Sequence, residues 1–239
     1  MIERHIARLV ARHTLSPAER ETVRALIRET RTVDARTVVA AEGQLLSHST
    51  LLLDGLMCRY KDLSDGQRQI TEMHVPGDFA DLHGFTLKRL DHHVMALTPC
   101  VIGIVPHDRV RALTDAHPRL TRIYWFSTNL DAAIHREWEL SLGRRSADQR
   151  LAALLCELHV RLSLVGLADE SGYDLALTQI DLSECLGLTS VHVNRVVRRL
   201  REAELATVRR GRVTLHDLPG LRTLAEFTDD YLYLRPEDL

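Results

Sequence analysis

Residues Leu177–Leu215 read LTQIDLSECLGLTSVHVNRVVRRLREAELATVRRGRVTL, and their spacing decides the architecture of this region. Ile180, Leu182, Cys185 and Leu186 give one short helix an apolar face. Gly187–Leu188–Thr189 follows, where glycine takes the left-handed conformation that ends a helix. Thr189 or Ser190 suits the cap of a second helix. Its apolar residues, Val193, Val196, Val197 and Leu200, recur at steps of three and four. Helix, tight glycine turn and helix together make a helix-turn-helix. Ala206–Val208, a turn at Arg209–Arg210–Gly211–Arg212, and Val213–Leu215 then read as a two-strand wing with a basic tip.

The second helix is polar on its other face, which carries Ser190, His192, Asn194, Arg195, Arg198, Arg199 and Arg201. Arg and Asn make bidentate hydrogen bonds to guanine and adenine edges. Thr189–His216 holds seven Arg against Glu202 and Glu204, a balance of +5 in a chain whose total is −2. A basic patch on an otherwise acidic chain is the footprint of a DNA-facing surface. The alternative, an arginine-rich face that is merely solvated, does not account for the turn and the basic hairpin beside it.

Outward from this motif, 239 residues suit one large domain or two ordinary ones. With 45% hydrophobic and 27% charged residues the chain is neither disordered nor fibrous. Cys58, Cys100, Cys156 and Cys185 contain no Cys-x-x-Cys pair, so the spacing supports no zinc, iron–sulfur or disulfide framework. Reduced thiols, no signal-peptide pattern at MIERHIARLVARH and no apolar run long enough to span a bilayer lead to the expectation of a cytoplasmic protein with no membrane partner. Enzyme motifs are missing: there is no glycine-rich phosphate loop, nucleophile elbow or His-Glu-x-x-His.

The first 29 residues read as helical, with Ser16–Pro17 and Glu19 as a helix start. From Thr32 to Val105 short β-rich runs alternate with Asp-Gly and Pro-Gly steps. The runs are Thr37–Ala40, Leu51–Leu53, Met57–Lys61, Gln69–His74, Val94–Leu97 and Val101–Val105. Many short strands at near-regular spacing predict a barrel or jelly roll. Helical period returns from Asp108 to Leu142. There Leu120, Ile123, Phe126, Leu130, Ile134 and Trp138 form one stripe. A helix of roughly 25 residues runs ~37 Å, longer than a small barrel is wide. A partner helix is therefore expected on Ile123, Phe126, Leu130, Ile134 and Trp138; the alternative is packing on the helix's own domain. Ser146–Leu164 reads as an amphipathic helix and Gly166–Asp174 as a loop.

A β-rich N-terminal domain, a long connecting helix and a C-terminal winged helix-turn-helix resemble the Crp/Fnr family of bacterial transcription regulators. The likeness covers nearly the whole chain and is strongest at HVPGDFADLHGF (His74–Phe85) and ECLGLTSVHVNRVVRRLREAEL (Glu184–Leu205). It implies an α+β chain with a jelly roll of the cyclic-nucleotide-binding type, a homodimer through the long helix, and double-stranded DNA and RNA polymerase as partners. The implied divisions are 1–117 (sensor), 118–143 (dimerisation helix), 144–222 (DNA-binding domain) and 223–239 (tail). Motif on motif, base reading falls to Ser190, Val191, Asn194 and Arg195. Many members carry Glu where this chain has Val191, which shifts readout toward Asn194, Arg195 and His192. The full set of expected DNA-contacting residues is Thr189, Ser190, Val191, His192, Asn194, Arg195, Arg198, Arg199, Arg210 and Arg212.

Members that bind cyclic AMP use a Gly-Glu-Leu and an Arg-Ser/Thr-Ala segment. These fall on Asp81–Leu82–His83 and Arg89–Leu90–Asp91, where the Glu and the Ser/Thr are missing and two acids face a would-be phosphate. Cyclic AMP is disfavoured, and no cofactor is expected. The iron–sulfur branch is excluded because no cysteine precedes Cys58. Asp81, His83, Arg89 and His92 remain the candidate effector pocket, with a haem- or other small-ligand sensor as an alternative reading. A third reading is an adaptor that no longer binds DNA.

Overall fold

The structure, a computed structural model, describes residues 2–234. Two short helices come first, α1 (Glu3–Val10) and α2 (Pro17–Arg24). Strands β1 (Glu29–Val33), β2 (Val38–Ala40), β3 (His48–Asp54), β4 (Met57–Asp62) and β5 (Arg68–His74) follow. One turn of helix, α3 (Gly84–Leu87), precedes β6 (His93–Ala96) and β7 (Cys100–Pro106). Then come α4 (His107–Ala116), the long α5 (Pro118–Arg144) and α6 (Ala147–Ser163). The C-terminal part continues with β8 (Ala168–Asp169), β9 (Gly172–Asp174), α7 (Gln179–Leu186), α8 (Ser190–Glu202), β10 (Ala206–Arg209), β11 (Arg212–Leu215) and α9 (Leu218–Ala225). A 3-10 turn at Asp230–Leu232 ends the described chain. The class is α+β.

Two antiparallel sheets, in the orders β1-β7-β3 and β2-β6-β4-β5, face each other as the jelly roll. All six expected β runs are strands, displaced by a few residues at their ends. β1 was not foreseen: its sequence ETRTV is polar and almost wholly exposed, so it carries no hydrophobic signal and is held by pairing with β7. The expected loop at Gly166–Asp174 likewise contains β8 and β9, which extend the wing into the order β10-β11-β9-β8. Helix starts follow local chemistry. Ser16 and Glu19, Ser146 and Gln149, and Thr178 and Asp181 form reciprocal capping boxes on α2, α6 and α7.

α5 has 27 residues, which spans about 40 Å. Its apolar stripe is consumed within the chain. Ile123 packs in the cluster that joins α1, α2 and α4 to the roll. Leu130, Ile134 and Trp138 belong to a second cluster, with Phe126 partly buried against it. All five residues of the stripe expected to form a dimer seam pack on the chain's own domains, Phe126 only in part. The face of α5 left open carries Trp125, Asn129, Ala132, Arg136 and Leu140, again at steps of three and four, with Trp125 68% exposed.

The second cluster is continuous between the two halves of the molecule. Cys58, Tyr60, Ile70 and Met73 of the sensor sheet share it with Leu151, Leu155, Cys185 and Leu186 of the C-terminal domain. The C-terminal segment closes it: Leu232 is fully buried, and the Tyr231 hydroxyl donates to Glu157 at 2.8 Å. Of the tail at 223–239, residues 235–239 lie outside those described.

Candidate nucleic-acid interface

α7 and α8 meet at Gly187, whose φ of +61° is the left-handed helix end that the sequence demanded. Thr189 is the cap of α8, its side chain accepting from the His192 backbone N–H at 3.3 Å. Val193, Val196 and Leu200 are buried beneath the helix, which fixes its orientation. Val191, Asn194, Arg195, Arg198, Arg199 and Arg201 consequently face outward, Val191 being 62% exposed. The apolar side chain of Val191 thus stands on the surface rather than in the core.

The wing is a hairpin in which Arg209 pairs Arg212 across a two-residue turn. Arg210 and Gly211 both have positive φ, +54° and +75°, as a primed turn requires. The Arg210 side chain is thereby exposed at the tip.

The arginines divide into two sets. Arg199 is a strut: its Nε lies 2.9 Å from both carboxylate oxygens of Asp148, which tethers α8 to the first turn of α6. Arg212 is another, donating to Asp174 at 3.0 Å and to the Ser171 hydroxyl at 3.2 Å. Arg198 has a loose pair at 3.5 Å with Glu202, one turn away. Arg195, Arg201, Arg209 and Arg210 have no carboxylate partner among the described residues. These four carry positive charge that no carboxylate of the described residues offsets, and Asn194 is exposed beside them.

The expected effector pocket does not assemble. His83 and His92 do meet, their ring centroids 5.3 Å apart. Asp81 turns away into the roll and accepts from the Thr50 backbone N–H, burial raising its carboxyl to about 6. Arg89 lies on the surface and donates to the Gly43 carbonyl. Between the roll and α5 lie paired ionisable side chains. Arg59, placed opposite Glu72 at a β-bulge, donates to the Glu72 carboxylate and to Asp131 of α5, both at 2.7 Å. Burial, with Asp131 adding to it, pushes the Glu72 carboxyl up to about 8 against the pull of Arg59. Burial likewise drives His83 down to about 3, so that its ring stays neutral.

A second buried set links the sensor to the C-terminal domain. Arg161 of α6 donates to Glu157 at 2.7 Å and to Asp78 and the Met73 carbonyl of the sensor at 2.8 Å. Asp78 also pairs with Arg8 of α1. Sequence reading missed both sets. The one available signal was Arg59, a charge inside the apolar run Met57-Cys58-Arg59-Tyr60.

The four thiols are buried, and burial raises Cys58 to about 12. Among the described residues no group of three potential ligands is placed to hold a metal ion. No helix among them is long and apolar enough to cross a membrane.

Comparison with known proteins places these features. A family profile described as a Crp-like helix-turn-helix domain matches residues 149–224, and one described as a cyclic nucleotide-binding domain matches residues 30–117. The nitrogen fixation regulation protein FixK of Bradyrhizobium diazoefficiens is 30% identical over 193 residues, covering 78% of each chain. The anaerobic regulatory protein of Haemophilus influenzae is 25% identical over 216 residues, covering 90% of this chain and 84% of that protein. Among solved structures, FixK2 from Bradyrhizobium japonicum superposes with a TM-score of 0.73 at 23% identity, over 82% of this chain and 96% of that one.

Proposed function

The chain belongs to the Crp/Fnr family, whose members are DNA-binding transcription regulators rather than enzymes, and on that premise we propose a homodimer that reads an inverted-repeat operator through α8. The carrying observation is the outward face of α8, where Asn194 and Arg195 stand exposed and Arg195 has no carboxylate partner above a fully buried apolar face. In that reading Ser190, Val191, His192, Asn194 and Arg195 address base edges. Thr189, Arg198 and Arg210 take phosphates, joined by Arg201 and Arg209. Arg199 and Arg212 position the helix and the wing through their carboxylates, and reach DNA only if those pairs open.

The second copy docks on the open face of α5, along Trp125, Ala132 and Leu140. Two recognition helices then stand about one DNA turn apart, ~34 Å. The working divisions are 1–117 for the sensor, 118–143 for the dimer helix, 144–222 for the reader and 223–239 for the tail. RNA polymerase in the cytoplasm is the further partner. Cyclic AMP is not the effector in this account, because Arg59, the buried cation between the roll and α5, is already paired with Glu72 and Asp131, and Arg89 lies on the surface.

The reading is tested by fluorescence anisotropy on an inverted-repeat duplex and a scrambled one. Salt-sensitive binding to the first alone supports it; equal binding to both, or to neither, refutes it.

A further inference from the structure

Between α1, the turn at Gly77–Asp78 and α5 lies a cavity of about 40 Å³, lined in part by Arg8, Arg12, His13, Phe126, Ser127 and Thr128. It adjoins the ion-paired cluster of Arg59, Glu72 and Asp131 and shares Asp131 with it as part of its wall. Its charge balance is unusual. Arg12 is 3% exposed and has only carbonyl partners: its Nε donates to Leu232 at 2.8 Å and its Nη1 to Arg8 at 3.1 Å. Its Nη2 has no hydrogen-bond partner among the described residues. His13 beside it is also buried, with neither ring nitrogen bonded and its ring set edge-on to Phe126 at 4.8 Å.

A buried guanidinium without a counter-charge is strongly unfavourable, so such groups are ordinarily paired or hydrogen-bonded to an anion. The two acids in the cavity wall are already committed, Asp78 to Arg8 and Arg161, Asp131 to Arg59. Burial and the neighbouring Arg161 bring Arg12 down to about 10, still charged at neutral pH.

We propose that a compact oxyanion, of the carboxylate, nitrate or phosphate class, binds in this cavity, with the Arg12 guanidinium as its charge partner and His13 as a second donor. The planar fork of arginine matches two oxygens of such an ion. The cavity has room for one small ion or a few waters and none for a nucleotide. The site stands on its own geometry and does not depend on the DNA-binding reading.

The test is calorimetric titration of the full chain with sodium acetate, nitrate and phosphate, each at constant ionic strength with chloride as the background salt. Saturable binding of at least one of them is expected, together with a raised melting temperature. Arg12→Gln should weaken that binding about tenfold or more, and His13→Gln less. Because Arg12→Gln removes an uncompensated charge, its melting temperature without ligand should not fall, which separates the site from a structural ion pair. Glu237 and Asp238 lie outside the described residues, so the variant Glu237→Gln/Asp238→Asn is titrated in parallel. Unchanged binding in it supports a diffusible ion. Binding that appears only in that variant, or no saturable heat from any of the three ions, overturns the proposal.

Discussion

Arg36 of the sensor and Asp181 of the helix-turn-helix, 145 positions apart in the sequence, form a two-point ion pair, Nη2 to Oδ2 measuring 2.8 Å. Asp181 is fully buried and simultaneously caps α7 through Thr178. At the other end of the same helix Gln69 of β5 donates to the Glu184 carbonyl at 2.7 Å, and Arg150 donates to that of Leu186 at 3.0 Å. The first helix of the reader is therefore held at both termini by sensor side chains, which sets where α8 points.

Arg36→Ala should lower stability by about 1–2 kcal/mol, less than for a fully buried pair because the Arg36 side chain is 43% exposed. Asp181→Asn should do more, since the cap is weakened as well. Urea unfolding measures both; an Arg36→Ala midpoint equal to that of the parent contradicts the clamp.

At the interface, Asn194→Ala or Arg195→Ala should each cost about 1–3 kcal/mol on the preferred operator and relax preference at one base pair. Arg210→Ala should weaken all duplexes alike and reduce the salt slope by about one ion. Arg199→Ala behaves differently: it frees α8 from Asp148, so loss of DNA affinity comes with loss of thermal stability. Competition binding against single-position operator variants separates the three behaviours.

For the dimer, Trp125→Glu should give monomers that remain folded, because the side chain is exposed on the open face of α5. Leu130→Glu should instead unfold the chain, since it places a charge in the core cluster. Analytical ultracentrifugation with circular dichroism distinguishes them; a folded Leu130→Glu monomer would restore the seam expected from the sequence.

Stability should pass through a maximum near pH 6.5. Burial lowers His5 and His107 to about 4 and His83 to about 3, below the unfolded value of 6.5. The unfolded chain then binds more protons, so their contribution is present above pH 6.5 and is lost as pH falls toward 4. Glu72 is raised from 4.5 to about 8, and its opposite contribution declines as pH rises through that range. Below pH 6.5 the three histidines outweigh Glu72 and Asp81, whose carboxyl is raised to about 6; above it Glu72 acts alone. His5→Gln should flatten the acid limb by up to about 1.4 kcal/mol per pH unit, and Glu72→Gln the alkaline limb. A monotonic profile of melting temperature against pH would refute this.

The helix-turn-helix was legible because each of its parts is local: Gly187, the cap at Thr189 and the period of Val193, Val196 and Leu200 lie within a few residues of one another. What failed was non-local. The stripe from Ile123 to Trp138 shows that α5 has an apolar face, but not whose surface covers it, and the chain itself does. Arg199 and Arg212 look like free cations until Asp148 and Asp174, 51 and 38 residues away, are folded against them. β1 is polar and gains its strand character only from β7. In the sensor, Asp81 and Arg89 are near neighbours in sequence yet point to opposite sides of the wall.

The central claim is that paired copies of α8 read DNA, and selection of bound duplexes from a random-sequence pool tests it most directly. The account predicts enrichment of two-fold-related half-sites with centres about 10 base pairs apart, lost when Arg195→Ala protein is used. Enrichment of single half-sites, or a pool left unchanged, would contradict it.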